Sequence, residues 1–240
     1  ALMNGLEYPL PQVEASYKSF IKAEKQSLES TETRAFWQQQ LANVQVTELP
    51  LFDQEDASQF AFGDHRELVV IPENTFANLK GIARAAKVGL KSVLLAAHVR
   101  MLSLLSGQMK VTTGLAFNGR LEVKDGEKVR GMFLNMLPVT VDLSDGNWMD
   151  LVKRCHEAEM AIVPHRFYPL GLLQNDHGEQ SLFKTVMNHL HFYTIKKEGL
   201  LHDGEFEFVK VKDLSKTNYD YNPVFMSDSL DDNKLSYIHD

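Results

Sequence analysis

Cysteine is almost missing from this chain of 240 residues, which contains only Cys155. A single cysteine cannot form an intramolecular disulfide, so the sequence excludes disulfide-stapled extracellular domains and favours a reducing compartment. Long apolar runs are missing too, and none approaches the roughly 20 residues that a membrane-spanning helix needs. No more than two Lys or Arg residues stand together, and the net charge is −7. We therefore expect neither a membrane nor a nucleic-acid partner, since the latter needs clustered cations to neutralise phosphates.

Several short catalytic and binding motifs are also missing. The sequence contains no G-x-G-x-x-G, no G-x-x-x-x-G-K-[ST] and no G-x-S-x-G. These absences argue against the usual nucleotide-binding loops and against a serine nucleophile elbow. The chain begins with Ala1 instead of Met and has no basic segment ahead of an apolar one. We expect a cytoplasmic protein without a signal peptide, and a chain that starts inside a longer one.

The residues that are present predict a globular domain with a mixed sheet. Hydrophobic residues make up 44% of the chain and charged residues 24%, which is enough for a sizeable core. Helical and strand patterns interleave, so we predict an α/β protein of the α+β two-layer type, with helices packed on one face of a mixed sheet. The predicted helices lie at 13–28, 32–44, 75–88, 93–107 and 148–163, with a short turn at 169–175, and the predicted strands at 65–72, 110–119, 139–143, 183–194, 205–213, 221–229 and 234–240. The predicted N-terminal caps of the last three of these helices are Asn74 or Thr75, then Ser92, then Asp145 or Asn147.

The stretch "VRGMFLNMLPVTVDL", residues 129–143, places an amide and a proline inside an apolar run. It is either a buried strand with a turn at its start or a shaped loop that lines a site. The alternation of Val139, Val141 and Leu143 predicts a strand over residues 139–143. For residues 131–138 we predict a loop, with glycine permitting the turn and Pro138 ending it.

The nine histidines do not form an obvious catalytic or metal site. His189 and His191 face the same way on a strand, but zinc would need a third ligand, so ordinary half-buried residues are the simpler interpretation. His98 lies in an apolar helix and is interpreted as a hydrogen-bonded core residue, and Cys155 as a small hydrophobe. His165 lies in an aromatic turn that follows a helix. That turn either packs against the sheet or forms the rim of a recognition surface.

Taken in order, several segments resemble the C-terminal half of the condensation domains of nonribosomal peptide synthetases. The clearest is "RGMFLNMLP", which is similar to the family's G-x-F-x-N-x-x-P, with Gly131, Phe133, Asn135 and Pro138 in place. The resemblance covers residues 31–240, although Arg166 stands where the family's H-Q-x-x-P turn has glutamine. The other segments that carry it are "FWQQQLANVQVTELPL", "LLAAHVRMLSLLSGQMKVTTGLAFNGR", "PHRFYPLGLL" and "SLFKTVMNHLHFY".

The resemblance implies one lobe of a fold made of two chloramphenicol-acetyltransferase-like lobes. Residues 1–45 would be a helical connector from a missing N-terminal lobe, and residues 46–240 the C-terminal lobe, truncated at both ends. The family joins an acyl or peptidyl thioester to an aminoacyl thioester. Its H-H-x-x-x-D-G motif is absent here, because no two histidines are adjacent. We therefore expect no catalytic residue in this chain and no activity of the chain alone.

The resemblance also implies a site and partners. It places Gly131, Met132, Phe133 and Asn135 on a tunnel floor and a latch over residues 195–213. These four residues and His165 are the predicted substrate-binding residues. Asn135 either hydrogen-bonds pantetheine or substrate amides, or satisfies buried backbone groups of the floor loop. No cofactor is expected to bind directly. The implied partners are the missing lobe, carrier proteins with their phosphopantetheine arms, and an adenylation domain. Two alternatives remain, a non-catalytic carrier-protein docking module and a coenzyme A-dependent acyltransferase of the same superfamily.

Overall fold

The structure, a computed structural model, describes residues 13–42, 44–50, 67–178, 180–192, 218–228 and 235–239. Within these residues, six strands form one mixed sheet, in the order β1-β6-β5-β4-β2-β3. Strand β4 runs parallel to β2 and to β5, and the other pairs are antiparallel. The helices are α1 (Tyr17–Glu29), α2 (Thr31–Leu41), α3 (Glu73–Ala86), α4 (Leu90–Ser106), α5 (Trp148–Ile162) and α6 (Leu170–Asp176), and the strands are β1 (Glu67–Ile71), β2 (Lys110–Asn118), β3 (Leu134–Asp142), β4 (Val186–Phe192), β5 (Val224–Asp228) and β6 (Leu235–His239).

The core lies between the sheet and the buried helix α4. Val111, Leu115 and Leu137 are fully buried on the sheet, as are Leu95 and Val99 on α4. Helix α5 packs against both α4 and β3. This layering explains why α4 is apolar nearly all round, since a helix covered on most sides keeps no polar stripe. The predicted α/β class and mixed sheet are confirmed.

His98 and Cys155 occupy the core positions that the sequence predicts. The His98 Nε2 atom lies 2.9 Å from the Thr113 hydroxyl oxygen, and that hydroxyl donates to the Thr185 carbonyl oxygen. Burial lowers the pKa of His98 to about 3, so the imidazole is neutral at physiological pH. Cys155 is fully buried, and burial raises the pKa of its thiol to about 12. Both side chains are therefore structural.

Helix boundaries agree with local capping signals in one case and differ in two. Asn147 caps α5 through a capping box with Asp150, as the sequence predicts. Helix α3 begins at Glu73, directly after Pro72, so neither Asn74 nor Thr75 caps it. The predicted cap Ser92 lies inside α4, which follows Gly89. The Ser92 hydroxyl contacts His156 Nδ1 at 3.3 Å and so serves helix packing instead.

The predicted loop over residues 131–138 is wrong in its second half, because β3 begins at Leu134 and continues through Pro138. Strand β3 lies at an edge of the sheet, where proline is tolerated. Pro138 pairs with Gly114, whose N–H donates away from β3 to the Thr185 carbonyl oxygen. The two residues therefore form a non-hydrogen-bonded pair, and the missing N–H of Pro138 faces the open edge. For this reason β3 continues through Pro138 without losing a hydrogen bond to β2.

Some predictions fall outside the described residues, namely the latch over 195–213 and the strand over 205–213. The division into residues 1–45 and 46–240 stays a prediction. Within the part of the chain that the structure describes, no single helix is long and apolar enough to cross a membrane. The pair α3 and α4, bent by 106°, meets the length and composition test only when the two are taken together.

Candidate functional site

Residues 131–133 lead into the edge strand and present alternate side chains to solvent and to the protein. Met132 is 72% exposed, and Leu134, the first residue of β3, is 54% exposed. Phe133 between them is only 6% exposed. The Gly119 N–H donates to the Phe133 carbonyl oxygen at 2.7 Å, which ties this segment to the end of β2. Met132 thus has the most exposed side chain of the predicted lining residues.

Phe133 is the centre of an aromatic cluster. The Tyr17 and Phe20 rings of α1 approach it edge to face, with centroids 5.1 Å and 5.3 Å away. The Arg120 guanidinium lies 4.2 Å from its ring centroid, within cation–π range. Phe133 therefore anchors residues 131–133 to the protein, and the lining role of its ring stays a prediction.

Gly131 allows the Tyr17 ring to pack closely against the backbone. A Cβ atom built on it would lie 2.4 Å from Cδ2 of the Tyr17 ring, closer than real Cβ contacts come. Its φ is not in the left-handed region, so the ring and not the backbone conformation requires glycine. The Tyr17 hydroxyl donates to the Met132 carbonyl oxygen at 2.9 Å. Sequence reasoning identified this glycine but assigned it to a turn.

Asn135 ties β3 to the turn that follows α5. Its Nδ2 amide donates to the carbonyl oxygens of Arg166 at 3.0 Å and Tyr168 at 2.8 Å. Its Oδ1 atom accepts from the Leu170 N–H at 3.4 Å. This arrangement is the second of the two predicted alternatives, with one difference. The backbone groups that Asn135 satisfies belong to the turn and not to residues 131–138.

His165 lies in the 3-10 turn Val163–His165 and contacts α2. Its Nδ1 atom is 3.0 Å from the Thr33 hydroxyl oxygen, and its ring stacks on Phe36 with centroids 4.1 Å apart. The Trp37 indole N–H donates to its carbonyl oxygen at 3.3 Å. Burial lowers the pKa of His165, with a smaller opposing effect of Glu32. The turn packs against the protein, which is the simpler of its two interpretations.

The predicted site residues therefore separate into two groups. Gly131, Met132 and Phe133 meet α1, whereas Asn135 and His165 hold the turn after α5 against β3 and α2. Neither group contains a paired acid and base. Within the described residues there is also no cluster of three or more His, Cys, Asp or Glu side chains that would hold a metal ion.

A cavity of about 460 Å³ beside this region holds several charges that sequence reasoning missed. The Lys91 ammonium pairs with Glu159 at 2.8 Å and donates to the Ala116 carbonyl oxygen. Arg120 and Arg166 also line it and donate to backbone carbonyl oxygens. Because carbonyls and Glu159 already satisfy these cations, they brace the cavity walls. The contacts of Lys91 join residues at least 25 positions apart, so no local motif indicates them.

The family model named Condensation domain matches residues 1–229. The chain belongs to the condensation-domain family. Its match begins at residue 1, earlier than the resemblance over residues 31–240 that the motifs support. The predicted recognition and fold are confirmed.

Relatives of this condensation-domain chain are much longer proteins. It is 27% identical over 197 residues to the AMB antimetabolite synthetase AmbE of Pseudomonas aeruginosa, a match that covers 81% of this chain and 9% of that protein. It is 34% identical over 148 residues to a ferrichrome siderophore peptide synthetase of Mycosarcoma maydis, covering 60% of this chain and 4% of that protein. The chain thus spans a small part of the synthetases it matches.

Solved condensation domains share the fold. The first condensation domain of the calcium-dependent antibiotic synthetase, in complex with a substrate analogue, superposes with a TM-score of 0.71 at 15% sequence identity. The match covers 99% of this chain and 53% of that one. This condensation-domain chain therefore corresponds to about half the length of that structure.

Proposed function

We propose that this chain is one lobe of a peptide-synthetase condensation domain and forms one wall of the site where the amide bond is made. The observation that carries the proposal is the combination of a condensation-domain match over residues 1–229 with the absence of the H-H-x-x-x-D-G motif. The match to a solved condensation domain covers about half of that structure, which leaves room for a second lobe with the catalytic histidine.

The chemistry suits such a division. The amine of the acceptor thioester attacks the thioester carbonyl carbon of the donor, a C–N bond forms, and the C–S bond breaks to release the donor's pantetheine thiol. The attacking amine loses one proton, and the departing thiolate gains one. Aminolysis of a thioester is favourable, so holding the two substrates in place supplies much of the acceleration. A lobe without an acid or base contributes by positioning substrates and excluding water.

In this proposal the lobe's partners are the other lobe, two carrier proteins with their phosphopantetheine arms, and an adenylation domain. The exposed Met132 contacts the arms or the joined substrates. Asn135 acts indirectly. It holds the turn after α5 in place, since both of its amide protons are engaged with backbone carbonyls. The latch over residues 195–213 stays a prediction from the resemblance.

A reconstituted condensation assay tests the proposal. The whole protein that contains the chain is mixed with a donor carrier and an acceptor carrier, each loaded with its thioester, and the acceptor is followed by intact-protein mass spectrometry. We expect the donor acyl group to appear on the acceptor arm, in an amount that depends on both carriers. Asn135→Ala should lower the rate, and Asn175→Ala, an exposed asparagine on α6, is the matched control.

Two other outcomes would contradict the proposal. Binding of both carriers without any product favours the docking module, which the missing histidine motif makes the second candidate. Product that forms from an acyl-coenzyme A donor, and not from a carrier-bound donor, indicates the coenzyme A-dependent acyltransferase. A wild-type rate for folded Asn135→Ala would remove the role given to that residue.

A further inference from the structure

Two glycines at the ends of the connection between β2 and β3 face the same helix, α1. A Cβ on Gly119 would lie 2.6 Å from Cε2 of the Phe20 ring, and a Cβ on Gly131 would lie 2.4 Å from Cδ2 of the Tyr17 ring. Neither glycine has a φ in the left-handed region. Both positions are therefore notches that admit a ring of α1, and any larger side chain would displace that ring.

The two rings make the main contacts of α1 with this connection. Tyr17 and Phe20 stack on each other with centroids 5.3 Å apart and both approach Phe133 edge to face. The Tyr17 hydroxyl donates to the Met132 carbonyl oxygen. Aromatic pairs in these geometries add about 0.5–1.5 kcal/mol each beyond their buried area. These contacts fix both the backbone and the side chain of the connection where it enters β3.

Helix α1 has few other contacts. Leu28 at its C-terminal end is partly buried against the core, and the Arg34 side chain of α2 donates to the Leu28 carbonyl oxygen. The Phe20 ring centroid also lies 6.0 Å from the Phe167 ring centroid. None of the residues of α1 is buried. The ion pair between Glu14, which precedes it, and Lys124 is exposed on both sides, and such pairs contribute little. Its C-terminal connection to α2 is the single residue Ser30. A helix with so few buried contacts opens locally at low cost in free energy.

We propose that Tyr17 and Phe20 are positioning residues that set the place of residues 131–133, and so of Met132. When α1 is docked, Met132 has a fixed backbone carbonyl, and Phe133 is held between α1 and Arg120. When α1 lifts, the hydrogen bond and both ring contacts are lost together. The functional consequence rests on the proposed role of Met132 in the condensation site, whereas the contact itself does not.

A double-mutant cycle read by hydrogen exchange tests the contact. In the whole protein, Gly131→Ala should raise amide exchange over residues 129–134 by about tenfold or more, because the added methyl expels the Tyr17 ring. Tyr17→Ala should raise it similarly. The two changes together should raise the exchange rate little more than either change alone, because the methyl then fills space that the ring has left. Additive effects would overturn the proposal.

Two controls separate positioning from a general loss of stability. Gly81→Ala introduces the same methyl in α3, where nothing lies within 4 Å, and should leave exchange over residues 129–134 unchanged. Tyr17→Phe keeps the ring and loses only the hydroxyl, so it should restore most of the protection that Tyr17→Ala removes. If Tyr17→Phe exchanges as fast as Tyr17→Ala, the ring does not hold the segment.

The functional part has its own measurement. In the carrier-based assay, Tyr17→Ala should lower kcat by about tenfold while the KM for the loaded carriers changes little, because a misplaced site still binds carriers. An unchanged kcat with raised exchange would overturn the positioning role. If the two variants show the expected non-additive effect on exchange but the protein forms no product, the proposed condensation function is contradicted. The α1 contact then still stands.

Discussion

Helices α1 and α2 are joined by one residue, and α1 has the clearer apolar stripe, yet only α2 has buried side chains. Trp37 is 2% exposed and Leu41 7%, whereas no residue of α1 is buried. Helix α2 is also held through Thr33 and the His165 turn, while α1 is held by two rings that enter glycine notches and by the partly buried Leu28. The comparison teaches that an apolar helical stripe does not by itself indicate core packing. In this chain the more weakly held helix lies beside the candidate site.

The largest expected effect comes from Trp37→Ala on α2. Removing a fully buried indole from a packed core costs about 3–5 kcal/mol in the free energy of unfolding. Chemical denaturation followed by circular dichroism should show this loss as a lower free energy of unfolding. Phe20→Ala on α1 is the matched variant and should shift the midpoint far less. Equal losses would contradict the difference between the two helices.

The next largest effect is a pH dependence of stability that comes from His98 on the core helix α4. The pKa of buried His98 falls from 6.5 to about 3, so the unfolded chain binds a proton that the folded chain does not. The contribution of His98 to stability is complete above pH 6.5 and is lost as the pH falls from 6.5 towards 3, with a slope approaching about 1.4 kcal/mol per pH unit. His98→Gln should remove this slope, as measured by denaturation at several pH values. An unchanged slope would contradict the burial of this imidazole.

A smaller and sharper comparison uses the two serine caps. The Ser30 hydroxyl accepts from the Thr33 N–H at the start of α2, and the Ser16 hydroxyl accepts from the Lys18 N–H at the start of α1. Replacing either cap by alanine weakens its helix by about 1 kcal/mol. We expect Ser30→Ala to lower global stability by that amount. Ser16→Ala should instead raise hydrogen exchange in α1 alone, and a global loss equal to that of Ser30→Ala would remove the distinction.

The sequence was sufficient where the determinants are local. Asn147 caps α5 because its box partner stands three residues away, and alternating hydrophobicity located the C-terminal part of β3, residues 139–142. It failed where the determinants are distant. Tyr17 and Met132 are 115 positions apart, and Thr33 and His165 are 132 apart, so nothing in either neighbourhood indicates the contact.

The match to the family motif likewise identifies residues without giving their roles. The resemblance selected Gly131, Phe133 and Asn135 as site residues, and their role in a site stays a prediction. In the structure Gly131 admits a ring, Phe133 anchors the segment, and Asn135 holds a turn. Only Met132 keeps the exposed side chain that a lining residue needs.

Site-specific labelling at Met132 tests the central claim, that this exposed residue faces a substrate arm. Cys155 is fully buried, with a thiol pKa of about 12, so the natural chain has little competing thiol chemistry. A Met132→Cys variant of the whole protein is incubated with a carrier protein whose pantetheine arm ends in a thiol-reactive group. Trp148→Cys, at a position 60% exposed on α5, is the control.

We expect the Met132→Cys variant to be labelled at least about tenfold faster than the control, because docking of the carrier raises the effective concentration of the arm at that position. Equal rates at the two positions would contradict the account.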